Sequence, residues 1–160
     1  MHVDCWFDGA CWPNPNGHAA SGAFIKHEGV VIYSGSRYIG CQGTTNNVAE
    51  YDGLNLILEK LVELQPASAM IYGDSDLVIK QMTGRWKVGR LTRSERNGKT
   101  PVKVRHYIPY YYKAVDLLGR IQGNVDFVWI SRDLNDQADL LSRQPLEDRK
   151  ITNPYERMFT

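Results

Sequence analysis

Thr45-Asn46-Asn47-Val48-Ala49-Glu50-Tyr51-Asp52-Gly53-Leu54-Asn55-Leu56-Ile57-Leu58-Glu59-Lys60-Leu61-Val62-Glu63-Leu64 sets apolar side chains at 54, 57, 58, 61 and 64, the spacing of one helical face. A helix over 46–64 is predicted, with Thr45, Asn46 or Asn47 as its cap and Glu50 in its first turn. Upstream, residues 2–8 read as a strand that ends at Asp8-Gly9, and 19–27 and 30–39 read as a hairpin joined at Glu28-Gly29. Downstream the pattern alternates. A strand over 67–73 precedes a helix over 74–82, stopped near Gly84, and Pro109 fits the first turn of a helix over 107–121. A strand over 125–130 and a helix over 135–142 complete the series. The order β-β-β-α-β-α-α-β-α predicts an α/β fold, a mixed sheet flanked by helices. Residues 1–143 are expected to form one domain. Residues 144–160, polar and with two prolines, are expected to be a tail that wraps the surface or frays.

At 160 residues and 42% hydrophobic content, the chain is long enough for one real core. No apolar run approaches the roughly 18 residues of a membrane span, and Met1-His2-Val3-Asp4-Cys5 does not start like a secretory leader. Cys5, Cys11 and Cys41 are odd in number and lack a CxxC pair, so neither a disulfide framework nor a zinc site is expected. A reduced, cytoplasmic monomer is the expectation. The net charge of +1 is uneven: residues 85–105 hold eight basic residues against Glu95, a net +7 that leaves −6 elsewhere. A cationic segment on an acidic body suggests an anionic polymer as partner.

Four acids stand at telling places: Asp8 at the end of the first strand, Glu50 at a helix start, Asp74 at a strand end and Asp139 in the final helix. Alone, each has a plain structural use, as turn residue, capping-box member, helix cap or solvated helix residue. Strand ends and helix starts share one rim of an α/β sheet, where such folds bind ligands. Gathering carboxylates there is costly unless a cation compensates, and an all-oxygen set favours Mg²⁺, with Mn²⁺ as substitute, over zinc. Two such ions, roughly 4 Å apart, suit hydrolysis of a phosphodiester.

These residues resemble the ribonuclease H type 1 family over about residues 3–143. The likeness rests on Phe7-Asp8-Gly9-Ala10 with Asn14-Pro15, on Gly43-Thr44-Thr45-Asn46-Asn47-Val48-Ala49-Glu50, on Tyr72-Gly73-Asp74-Ser75 and on Asn135-Asp136-Gln137-Ala138-Asp139. It implies a five-stranded mixed sheet of order 3-2-1-4-5 and hydrolysis of the RNA strand of RNA–DNA hybrids, leaving 3′-hydroxyl and 5′-phosphate ends. It also implies that Asp8, Glu50, Asp74 and Asp139 bind two metal ions. The N-x-x-A-D pattern favours Asp139 over Asp136 as the fourth ligand. Asn46 and Asn47 match minor-groove contacts, Asn14 and Thr45 a phosphate pocket for the DNA strand, and Ser75 a backbone contact. Glu50 and the backbone of Gly9, Ala10 and Cys11 are placed to read the 2′-hydroxyl that marks RNA.

The chain departs from many members in one loop. Ser131-Arg132-Asp133-Leu134 joins the last strand and helix, and no His lies between Trp129 and Asp139. That resembles a short-loop subgroup, and Arg132 is the candidate to hold a product phosphate instead. The basic segment matches the position of a protruding handle that grips the duplex, here with Trp86, Lys87, Arg90 and later Lys99, Lys103 and Arg105; no helix is evident through 89–99, which leaves open a flexible arm or a folded handle. Tyr107, Tyr110, Tyr111 and Tyr112 read as helix packing with one exposed face. Two other functions stay open on the residues alone: the same metal site acting on duplex RNA or structured DNA, and an idle nucleic-acid-binding module.

Overall fold

The computed structural model describes residues 1–156, so the last four residues of the expected tail lie outside it. Five strands, β1 (His2–Trp12), β2 (His18–His27), β3 (Val30–Gly40), β4 (Ser68–Gly73) and β5 (Asn124–Trp129), form one sheet in the order β3-β2-β1-β4-β5. β1, β2 and β3 pair antiparallel, and β1-β4 and β4-β5 pair parallel. This is the predicted mixed sheet. The helices are α1 (Asn46–Leu64), α2 (Asp76–Met82), α3 (Arg93–Arg96), α4 (Ile108–Gly119) and α5 (Asp136–Asp148).

Alternation along β1 divides the molecule. Val3, Cys5 and Phe7 face α1 and join Tyr51, Leu54, Ile57, Leu58 and Leu61 in the main core. Burying each large apolar side chain there contributes about 1.5–3 kcal/mol. Ala10 and Trp12 face the other way, onto Ala20 and Leu146 of α5. A polar clamp fixes α1 to the sheet: Asp52 accepts from Ser21 Oγ at 2.6 Å and from Arg37 Nε at 2.9 Å. Tyr51 Oη donates to Gln81 Oε1 at 2.6 Å, which ties α1 to α2, and Tyr107 stacks on Tyr51. The tyrosine run is therefore packing, with Tyr112 exposed.

Several element ends differ from expectation. β1 does not stop at Asp8-Gly9 but continues to Trp12. Its parallel pairing with β4 ends at Trp6↔Tyr72, while its pairing with β2 runs on to Trp12↔His18. Asp8 thus lies inside a strand, on the length that outruns β4. Gly9 is needed for close approach rather than for a turn. A Cβ there would meet the Ala49 carbonyl carbon at 2.2 Å and Glu50 N at 2.3 Å. Gly9→Ala is expected to push α1 off β1, cost about 2–3 kcal/mol and displace Glu50. Urea denaturation checks it; an unchanged midpoint would contradict the close approach.

α5 runs six residues past Ser142, through Pro145, so Gln144–Asp148 is helix rather than tail. Proline cannot donate to the carbonyl four residues back. Ser36 Oγ supplies the missing donor, to Leu141 O at 2.6 Å, and Leu146 is fully buried by the extension. The basic segment contains the one-turn α3, closed by a capping box between Thr92 and Glu95.

Candidate active site

The rim where β1 outruns β4 is where the acids meet. Asp8, Glu50 and Asp74 each place a carboxylate oxygen within 4.8 Å of the others. Asp8 comes from inside β1, and its Oδ1 accepts from Gly9 N at 2.8 Å. Glu50 comes from α1, one residue before the Tyr51–Gln81 tie. It sits in the second turn rather than the first, and Thr45 alone caps the helix, accepting from Val48 N at 3.1 Å. Asp74 follows the last residue of β4 and is not the cap of α2; Ser75 is, accepting from Val78 N at 3.2 Å.

Asp139 stands beside this trio rather than within it. Its side chain is 42% exposed and lies 3.7 Å from Arg143. Its charge still acts on both Asp8 and Asp74. Asp136, its rival, is exposed in the first turn of α5.

Burial, then the Asp74 and Glu50 carboxylates, push the Asp8 carboxyl well above its ordinary range. Glu50 is pushed up to about 7, chiefly by burial; the Ser75 hydroxyl and the Arg132 charge oppose the rise, and Asp74 adds to it. Asp74 is raised by burial, against a hydrogen bond from Asn135 and the charge of Arg132. Three acids that resist ionising together form an unmet demand for positive charge. Their all-oxygen donor set fits a hard divalent cation.

Asn135 has a role that the sequence reading did not give it. Its Nδ2 donates to Phe7 O at 2.9 Å and to Asp74 Oδ2 at 3.1 Å, so one buried side chain binds the start of α5 to β1 and to the acid cluster. The signal lay in the quoted Asn135-to-Asp139 motif, but its partners are far away in sequence. Arg143 was also missed; it lies between Asp139 and Glu147 at helical i±4 spacing, over the Trp12 ring.

A groove of about 510 Å³ opens over Asp8, Glu50 and Asp139. Gly9, Ala10, Cys11 and Asn46 line it, and so does Arg132. Only the backbone of Cys11 is available there, because its buried thiol donates to Pro13 O at 3.3 Å. Asn14 is exposed and its Oδ1 accepts from Asn46 N at 3.0 Å, which joins the 13–17 turn to the start of α1. Asn47 is half-buried beside it. Ser75, buried as a cap, does not line the groove.

Trp86, Lys87 and Arg90 do not line it either; they stand exposed on the basic segment, with Lys80 Nζ 4.4 Å from the Trp86 ring. That segment is folded around Glu95. Its carboxylate accepts from Thr92 N, Lys103 N and the Arg105 guanidinium, at 2.6–2.9 Å for the shortest contacts. These donors hold Glu95 far below the usual carboxylate range. Arg105 is thereby consumed internally, while Lys99 and Lys103 stay exposed.

Residues 2–147 match the RNase H family model. The chain is 32% identical, over 92% of its length, to the bifunctional protein Rv2228c of Mycobacterium tuberculosis, and spans 36% of that relative. It is 31% identical to the crystal structure of RNase H1 from the halophilic archaeon Halobacterium salinarum, covering 92% of this chain and 99% of that one with a TM-score of 0.74. It is also similar to LC11-RNase H1, solved in complex with an RNA/DNA hybrid: 29% identity, 92% and 98% coverage, TM-score 0.75.

Proposed function

The chain belongs to the RNase H family, and from that premise we propose that it is a metal-dependent endonuclease cutting the RNA strand of RNA–DNA hybrids. The observation that carries this is the cluster of Asp8, Glu50 and Asp74 oxygens within 4.8 Å, of which Asp8 and Glu50 line a groove shared with Asn46, Arg132 and Asp139. Asp8, Glu50, Asp74 and Asp139 would hold two Mg²⁺ ions, with Mn²⁺ as substitute. Bound there, the cations would supply the positive charge that makes water nucleophilic near neutral pH and offsets charge on the leaving oxygen. A water oxygen attacks the phosphorus in line as the bond to the 3′-oxygen breaks. The products are a 3′-hydroxyl and a 5′-phosphate.

This chain's own groups orient the substrate. Glu50 and the Gly9–Cys11 backbone face the RNA ribose, whose 2′-hydroxyl duplex DNA lacks. Asn46 and Asn47 meet the minor groove. Asn14 and Thr45 take a DNA-strand phosphate and Arg132 receives a product phosphate, while Ser75, buried as the cap of α2, acts on Glu50 rather than on the substrate. A labelled hybrid, a duplex RNA and a duplex DNA, each incubated with and without Mg²⁺, test the reading. Cutting of the hybrid alone, and only with Mg²⁺, is expected. Equal cutting of duplex RNA would overturn the substrate assignment.

The folded basic segment adds sequence-independent grip, with Trp86 and Lys87 beside Arg90. Neutralising Arg90, Arg93 and Arg96 together is expected to reduce the salt slope of hybrid binding by about 2–3. An unchanged slope across a salt titration would reject that contribution.

A further inference from the structure

We propose that Tyr155 is a substrate contact: its hydroxyl, seated on the Asn14 amide, donates its proton to a backbone phosphate of the nucleic acid in the groove. This rests on reading that groove as the nucleic-acid site.

The chain beyond α5 is built back toward the acids. Lys150 takes a left-handed φ of 59°, and Ile151 N donates to Leu146 O at 3.0 Å, which reverses the backbone. Ile151 then packs on the Ala10–Trp12–Ala20–Leu146 cluster, and the Arg149 guanidinium lies 3.9 Å from the Tyr38 ring centre. Asn153 Oδ1 accepts from Tyr155 N at 2.9 Å and fixes the next turn. Asn153 and Tyr155 consequently form a wall of the groove that holds Asp8 and Glu50.

At the end of this path Tyr155 Oη accepts from Asn14 N at 2.8 Å. A phenol oxygen has one proton and two lone pairs. The Asn14 amide occupies a lone pair; among the described residues the proton has no acceptor. Two other tyrosine hydroxyls of the chain are spoken for: Tyr51 donates to Gln81, and Tyr38 pairs with His18. The Tyr155 side chain is accessible, with the residue 36% exposed, and Arg132 and Arg143 line the same groove. A free O–H donor in a groove bearing two arginines suits a phosphodiester oxygen. The contact also places the donor on the turn whose Asn14 side chain holds the start of α1. Tyr155 therefore extends the reach of the Asn14 amide by one hydroxyl.

Binding of the whole chain to a fluorescent RNA–DNA hybrid in EDTA, read by anisotropy, tests this without any cleavage. Tyr155→Phe keeps the ring and removes only the donor. About tenfold weaker binding is expected, with a raised KM and kcat within twofold when Mg²⁺ is supplied. Hybrids carrying one uncharged methylphosphonate at successive positions locate the contact. One position should weaken the wild type but leave Tyr155→Phe no weaker than before. Unchanged binding by the variant, or equal methylphosphonate losses in both proteins, would overturn the contact. Tighter binding would overturn it too, and would mark the segment as an obstruction. Wild-type protein that binds the hybrid but does not cut it would count against the endonuclease reading alone, because the binding comparison stands without catalysis.

Discussion

Asp8→Asn is expected to lower hybrid cleavage by about 10³-fold or more while making the metal-free protein more stable. The loss follows from removing the clustered carboxylate that Asp74, Glu50 and Asp139 all oppose. The gain has the same source. In the wild type at neutral pH, burial and the neighbouring Asp74 and Glu50 resist ionisation of Asp8, and an amide feels neither penalty. The fold should not suffer, since an amide oxygen can still accept from Gly9 N as Asp8 Oδ1 does. Cleavage kinetics and thermal melts in EDTA measure the two halves. Activity within tenfold of wild type, or a lower melting temperature in EDTA, would contradict the assignment.

The second large effect joins pH to metal. Glu50 titrates near 7 in the fold against 4.5 in the unfolded chain, with burial as the main cause. The folded state therefore holds that proton more tightly, so the contribution of Glu50 is neutral below pH 4.5 and becomes destabilising as pH rises toward 7. Asp8 and Asp74 act in the same direction. Metal-free protein is expected to lose about 2–3 kcal/mol across that window, because each tenfold gain in proton affinity on folding corresponds to about 1.4 kcal/mol. For a chain of this size the melting temperature should fall by about 5–10 °C. Saturating Mg²⁺ should erase the drop, adding about 2.7 kcal/mol at a hundred times its dissociation constant. Melts from pH 4.5 to 8 with EDTA or Mg²⁺ decide it. A metal-free melting temperature flat across the window would contradict the raised titration of Glu50.

What could be read from sequence was local. The apolar period of α1 fixed its bounds at Asn46 and Leu64, and the hairpin was marked by Glu28-Gly29. The features that escaped depend on partners far along the chain. Asp8-Gly9 has the composition of a turn, yet Gly9 is there because Ala49 and Glu50 press against it. Pro145 looks like a helix stop, and only Ser36, 105 positions before Leu141, makes its place in α5 tenable. Glu95 reads as a lone acid in a basic run; Thr92-x-x-Glu95 is a capping box, and a capping signal at that spacing could have revealed the turn of helix. For the acids, sequence order gave the candidates. It could not show that Asp8, Glu50 and Asp74 close ranks while Asp139 stays at the margin.

The absent side chains at Gly9, Gly22 and Gly53 have a further consequence. A Cβ on Gly53 of α1 would strike Asp8 O at 2.6 Å and reach Gly22 O at 3.3 Å, and one on Gly22 would strike Ser142 N of α5 at 2.3 Å. Helix, strand and helix are thus stacked main chain on main chain directly beneath the acids, with no cushion of side chains between them. Such a floor cannot be retuned by small repacking changes, since any added atom moves a whole element. Altering the reactivity of this centre by design would have to proceed from the groove walls, leaving its foundation untouched.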